Sequence, residues 1–157
     1  AETSAFWGAQ SPFTISWWME PRPPPSSGSS EMVVLYKAGS QPKSPDLSVS
    51  LLQSSSGGGS GTSQLRVRLA GTSRSLDAVL SLSRLYARGE WVHVAVSWNG
   101  TTVSVYENGV RVEGQDLPLT GSLVVTPGTP LMLGAPSAPT DQLRAFTGLV
   151  DELQLWR

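Results

Sequence analysis

Hydrophobic and polar residues alternate along most of this chain with a period of two. The run Trp91-Val92-His93-Val94-Ala95-Val96-Ser97-Trp98 sets Val92, Val94, Val96 and Trp98 on one side of an extended backbone, the pattern of a half-buried strand. Asn99-Gly100 follows, then Thr102-Val103-Ser104-Val105-Tyr106, then Asn108-Gly109 and Val110-Arg111-Val112. Asn-Gly supplies the positive φ of tight hairpin turns at little steric cost, so this segment predicts an antiparallel meander. Similar short runs occur at residues 13–19, 32–37, 47–52, 65–69, 78–82, 121–125, 131–134 and 149–156, the first ending at Pro21. A helix competes only at residues 81–88, where Leu82 and Leu85 are three apart; it would be under three turns long and has no good cap, so it reads as a strand end or loop. Short strands with turn residues every 8–12 positions predict an all-β sandwich of two antiparallel sheets.

Composition narrows the functional classes. The 157 residues suit one domain. Hydrophobic residues make up 39% and charged residues only 15%, against about 25% in an average soluble protein. Eleven Lys and Arg face twelve Asp and Glu, a net charge of −1. That balance carries no basic footprint for nucleic acid and no polybasic membrane anchor. Uncharged apolar runs fall far short of the roughly 20 residues a membrane span needs. With no cysteine, disulfides, thiolate zinc sites and thiol catalysis are excluded. The flexible Ser/Gly stretch at about 54–63 reads equally well as an engineered linker or as a native hairpin loop. Six tryptophans are many for this length and have a use in a packed core or on a binding surface.

Three ordered blocks carry a family resemblance. One runs from Gly89-Glu90-Trp91-Val92-His93-Val94-Ala95-Val96-Ser97-Trp98-Asn99-Gly100 to Val105-Tyr106-Glu107-Asn108-Gly109; a second is Phe13-Thr14-Ile15-Ser16-Trp17-Trp18. The third joins Leu131-Met132-Leu133-Gly134 to Phe146-Thr147-Gly148-Leu149-Val150-Asp151-Glu152-Leu153-Gln154-Leu155-Trp156. Together they resemble laminin G-like and pentraxin-like domains. The resemblance implies a concanavalin A-like jelly roll, with residues 1–157 a single domain lacking or reducing an edge strand at either terminus. It also implies an extracellular, non-catalytic recognition module of a larger cell-surface or secreted protein, such as an adhesion-receptor ectodomain. The mode expected first is protein–protein adhesion or ligand binding; a lectin-like carbohydrate-binding module is the alternative, and a calcium-dependent pentraxin-like binder the second. Its partners would be a protein or glycan at the cell surface, or a second copy of the chain, with neither nucleic acid binding nor membrane insertion. Two departures stand out. The pentraxin cysteine pair is absent, with Ala95 about where one would fall, and residues 135–139 read Ala-Pro-Ser-Ala-Pro where acids and amides for calcium belong. No cofactor is therefore expected, calcium being the one alternative.

The candidate site residues follow. Asp46, Asp141 and Gln142 are the oxygen donors in loops that would have to converge for calcium; each also reads as a solvated turn residue. Asn99-Gly100-Thr101 is an N-glycosylation acceptor sequence as well as a turn. Trp17 and Trp18 are consecutive and so face opposite sides, leaving Trp18 as a candidate ligand platform, while Trp17, Trp91, Trp98 and Trp156 are expected in the core. Arg66 and Arg68 share one strand face and form a candidate anion patch, with Arg74, Arg84 and Arg88 nearby in sequence. His93 is the sole histidine and has no nucleophile beside it, so a structural or exposed role is expected. Asp151 and Glu152, being adjacent on a strand, are expected on opposite faces and so unable to act as an acid–base pair on one substrate. The E-x-D-x-x-E pattern of jelly-roll glycosidases is absent.

Overall fold

A computed structural model describes residues 10–22, 30–41, 44–53, 63–83, 86, 89–112, 117–134 and 143–157. The Ser/Gly stretch 54–62, Asp141, Gln142, Arg84 and Arg88 lie outside them.

The described strands, in chain order, are β1 (Phe13–Pro21), β2 (Ser30–Gln41), β3 (Ser44–Gln53), β4 (Gln64–Leu69), β5 (Leu76–Ser81), β6 (Val92–Trp98), β7 (Thr102–Glu107), β8 (Val110–Arg111), β9 (Leu117–Pro118), β10 (Leu131–Leu133), β11 (Leu143–Ala145) and β12 (Gly148–Trp156). They form two six-stranded sheets. Sheet A runs β12-β1-β6-β7-β8, with β9 also on β7; sheet B runs β10-β2-β3-β4-β5, with β11 also on β2. Neighbours are antiparallel except β11, which lies parallel to β2. No described helix is long and apolar enough to cross a membrane.

The core follows from the alternation. Val92, Val94, Val96 and Trp98 of β6 meet Ile15, Trp17 and Met19 of β1, while Leu65, Val67 and Leu69 of β4 and Leu76, Ala78 and Leu80 of β5 line the opposing sheet. Inward faces from both sheets thus interdigitate into one buried layer, the standard way a sandwich hides two apolar faces. The 81–88 segment is not a helix where described: β5 ends at Ser81, and Tyr86 tucks its ring into the core. The segment is tied down by the buried Glu107 carboxylate, which accepts hydrogen bonds from Ser83 N at 2.8 Å, Ser83 Oγ at 2.8 Å and Tyr86 OH at 2.5 Å.

Some boundaries differ from the alternation. Residues 121–125 form no strand; only Leu123 bridges, to Gly71. β9 and β11 are too short to leave a periodic trace. Of the two Asn-Gly turns, Asn108-Gly109 takes positive φ at both residues (49° and 81°), the tight type I′ hairpin geometry. At Asn99-Gly100 only the glycine does (98°), and the turn is held instead by the Asn99 side chain. Gly148 is required for another reason. At φ 152°, an added Cβ would lie 2.2 Å from the Glu20 carbonyl oxygen and 2.8 Å from the Phe146 ring. A glycine there lets β12 begin flush against β1.

Candidate functional site

The outward side of sheet A can be built rung by rung from its register. Trp156 lies beside Thr14, Thr14 beside Ser97, and Ser97 beside Ser104. The next outward rung is Gln154, Ser16, Ala95, Tyr106 and Arg111, and the one after is Asp151, Trp18 and His93. Trp91 stands just before β6, outside the paired register, which ends at Met19↔Val92. Val92 faces inward, so His93 and its partner Trp18 face out. Leu155 packs against the core, so Trp156 faces out as well.

This corrects the expected placing of the tryptophans. Trp17 and Trp98 are fully buried, but Trp91 and Trp156 are 39% and 57% exposed, and Trp18 is 36% exposed. Trp18 and Trp156 therefore stand on one face, and Trp91 immediately precedes β6. Trp18 and Trp156 are four residues apart in the frame of β1, or about 14 Å along the strand direction. Between them the floor is small and hydroxylated: Ser16 and Ala95 are 7% and 8% exposed although they face outward. Larger neighbours, Gln154 and Tyr106, flank them on their rung. Thr14 Oγ1 donates to Ser97 Oγ at 3.1 Å. The result is a shallow row of hydroxyls between aromatic posts.

The end of this face near Trp18 is held firmly. The His93 ring lies against Trp18, with centroids 5.2 Å apart at 55°, so His93 serves as packing for an exposed indole. The His93 backbone is clamped by Asn108, whose Oδ1 accepts from His93 N at 3.0 Å and whose own N–H donates to His93 O at 2.8 Å. Glu20, buried at the edge, accepts from Arg22 Nε at 2.8 Å and from Gly89 N at 3.1 Å.

Asp151 and Glu152 do not take opposite faces. Between Ser16↔Gln154 and Trp18↔Asp151 the register slips by one residue, and Glu152 sits at φ 50°. Such a bulge cancels strict alternation, and both carboxylates are exposed. Asp151 Oδ1 is turned back to accept the Glu152 N–H at 2.8 Å, which ties this carboxylate to its own backbone.

Sheet B presents a different outer face. Arg66 and Arg68 share it as expected, but not as a free basic patch. Arg66 grips Asp77 through two bonds, Nε to Oδ1 and Nη2 to Oδ2, both 2.7 Å, and reaches Glu31 at 3.3 Å. Arg68 contacts Asp77 and Glu31, each at 3.4 Å. Hydrogen bonding to Arg66 holds the Asp77 carboxyl below its ordinary range, and bonding to Asp77 raises the Arg66 guanidinium. The arginines are neutralised by their own sheet.

Asp46 is not a solvated turn residue. It lies buried in β3, accepting from Thr126 N at 2.6 Å and Thr126 Oγ1 at 3.1 Å, with the buried Lys37 ammonium 3.6 Å away. Lys37 also donates to Thr126 O at 2.9 Å, to Thr129 O at 3.1 Å and to Thr129 Oγ1. An ammonium thus sits in a cage of oxygens around the residue considered for calcium, and both Asp46 oxygens are engaged. Among the described residues, no three or more His, Cys, Asp or Glu gather to hold a metal ion. Asn99 lies exposed at its turn tip, as expected.

Two stacked antiparallel sheets in this strand order define a concanavalin A-like jelly roll. The chain belongs to the family described as the concanavalin A-like lectin/glucanases superfamily, whose laminin G-type model matches residues 2–157. Among curated proteins none matches it in sequence. Solved structures share the fold at low identity. A native heptameric SAP-like pentraxin from Limulus polyphemus superposes at TM-score 0.62 and 18% identity, covering 92% of this chain and 63% of the pentraxin. Domains LG4-5 of the mouse laminin alpha1 chain match at TM-score 0.59 and 14% identity, over 92% of this chain and 34% of that one. The CBM40 of the Ruminococcus gnavus IT-sialidase, bound to alpha2,3 sialyllactose, matches at TM-score 0.61 and 14% identity, over 94% and 77%.

Proposed function

We propose that this chain is a non-catalytic glycan-recognition module of an extracellular or cell-surface protein, and that it binds through the outward face of sheet A. One observation carries this: Trp18 and Trp156, two of the three exposed tryptophans of the described chain, stand on that face, and the third, Trp91, immediately precedes β6. Sugar rings need an apolar plane to stack on and hydrogen-bonding groups at their rims. Ligand sites in general combine aromatic lining with a few fixed polar groups, and tryptophan offers a large rigid surface. Here the indoles are separated by Thr14, Ser16, Ser97 and Ser104, with Gln154 and Asp151 beside them. Protein–protein adhesion is less well served, because a hot spot gathers its apolar groups into a contiguous desolvated centre. The CBM40 relative, bound to its sialyllactose, supports a sugar-binding use of the fold. Because the Asp46 carboxylate already holds Lys37 and Thr126, recognition on this reading proceeds without calcium at Asp46.

The test is a screen of defined oligosaccharides with the wild-type chain and with Trp18→Ala, Trp156→Ala and, as a control on the other sheet, Arg66→Ala. A hit that weakens about tenfold or more in either tryptophan variant and survives Arg66→Ala supports the reading. Binding to a cell-surface partner that persists after that partner's glycans are removed would overturn it in favour of protein adhesion.

A further inference from the structure

We propose that Asn99 is an N-glycosylation acceptor whose glycan stands at the border of the tryptophan face. The Asn99-Gly100-Thr101 triplet alone is a short and common signal; the local geometry adds to it. Asn99 Oδ1 accepts from Thr101 N at 3.0 Å, Thr101 Oγ1 at 3.0 Å and Thr102 N at 2.8 Å. Two of these donors are backbone N–H groups, which can meet only the oxygen, so the orientation of the amide is settled. Nδ2 is left pointing away with no acceptor among the described residues. Asn99 and Thr101 are exposed, and a Cβ built on Gly100 would meet nothing within 4 Å. A sugar on Nδ2 would therefore displace no packing and break none of the three bonds that hold the turn.

The chemistry requires an activated donor, here a lipid-diphosphate-linked oligosaccharide presented by the glycosylation machinery of the secretory pathway. The bond formed joins Asn99 Nδ2 to the anomeric carbon. The bond broken joins that carbon to the diphosphate, which leaves with its electron pair while one amide proton passes to a base of the transferase. No oxidant or reductant is involved.

The position follows from the register. Ser97 faces outward beside Thr14, which pairs with Trp156. Asn99 opens the turn that follows β6, two residues beyond Ser97. Strand spacing and rise then put it about 12 Å from Trp156, so the first sugars at Asn99 lie at the edge of the row of hydroxyls. This second part rests on the face being the binding site proposed above.

The experiment is to express the chain behind a secretion signal in animal cells, with Asn99→Gln and Thr101→Ala in parallel, and to follow mass before and after peptide N-glycosidase in both secreted and cell-retained protein. The expected result is a glycan-sized mass loss for wild type and none for either variant. A glycan-free wild type in both fractions overturns the modification. The glycosylated and enzymatically trimmed forms are then compared for binding to whichever oligosaccharide the screen has found. A changed affinity supports the edge position, and equal affinity overturns it while the modification stands. If neither form binds any sugar, the glycan-recognition reading fails and the acceptor assignment is untouched.

Discussion

The two outer faces of the sandwich treat their conspicuous side chains in opposite ways. On sheet B, Arg66 and Arg68 are answered within the sheet by Asp77 and Glu31, and a buried Lys37–Asp46 pair fastens the 126–129 segment beneath. On sheet A, the exposed indoles Trp18 and Trp156 have no comparable cover among the described residues: His93 packs against Trp18, yet Trp18 remains over a third exposed. Charges matched at home lend geometry to the fold, whereas apolar rings left in water retain their desolvation gain for a ligand. The arginines draw attention in the sequence, but the tryptophans hold the unspent interaction.

The largest expected effect separates fold from recognition. Lys37→Met leaves the buried Asp46 without its cation, and removing one partner of such a pair costs about 3–5 kcal/mol. Chemical denaturation should show that loss, while the folded fraction should bind sugars unchanged. Wild type should melt identically in calcium and in chelator, because an ion that binds only the native state would raise the melting temperature. Trp18→Ala should do the reverse, lowering sugar affinity about tenfold, or roughly 1.4 kcal/mol, with a smaller shift in denaturation midpoint; titration calorimetry and denaturation on one sample would distinguish the two. A double substitution, Glu31→Gln with Asp77→Asn, should cost more than the roughly 1 kcal/mol of a wholly exposed bridge, because the Glu31 side chain is only 13% exposed. It should also create retention on a heparin column that the parent lacks. If the parent is itself retained, the two faces do not differ as described.

The smallest effect is in acid. The folded Asp77 carboxyl lies below its unfolded value because Arg66 binds its charged form, so its contribution to stability is complete above roughly pH 4. It is lost as the pH falls through the depressed folded value, since the unfolded chain takes up the proton first. Unfolding curves for wild type and Asp77→Asn should converge in that range and differ by a few tenths of a kcal/mol near neutrality.

The core was legible because period two is a local signal: Val92, Val94 and Val96 announce their face within five residues. The same parity contains the correction for Trp156, which follows inward-leaning Leu155. Reading tryptophan as a core residue by hydropathy alone concealed it. The bulge at Asp151 and Glu152 leaves no local trace, because it exists only in the register with β1. Asp46 follows Pro45 and looks like a turn, but its burial is set by Thr126, 80 residues away. Glu107 likewise looks like the polar end of a strand until Ser83 and Tyr86 arrive from another loop. Side chains placed by distant segments are the part that local patterning cannot supply.

The pairing of β1 between β6 and β12 has a consequence for synthesis. Residues 13–21, carrying Ile15, Trp17 and Met19, are made before their partners on both edges, β6 and then β12. Until then an apolar strand with two open edges waits without its sheet, a state that invites mispairing. Folding of sheet A is therefore a late event, governed by the return of the final strand more than by the meander, whose hairpins can close as they emerge. Joining β12 ahead of β1 through a short linker would make that pairing local and shorten the loop it has to close.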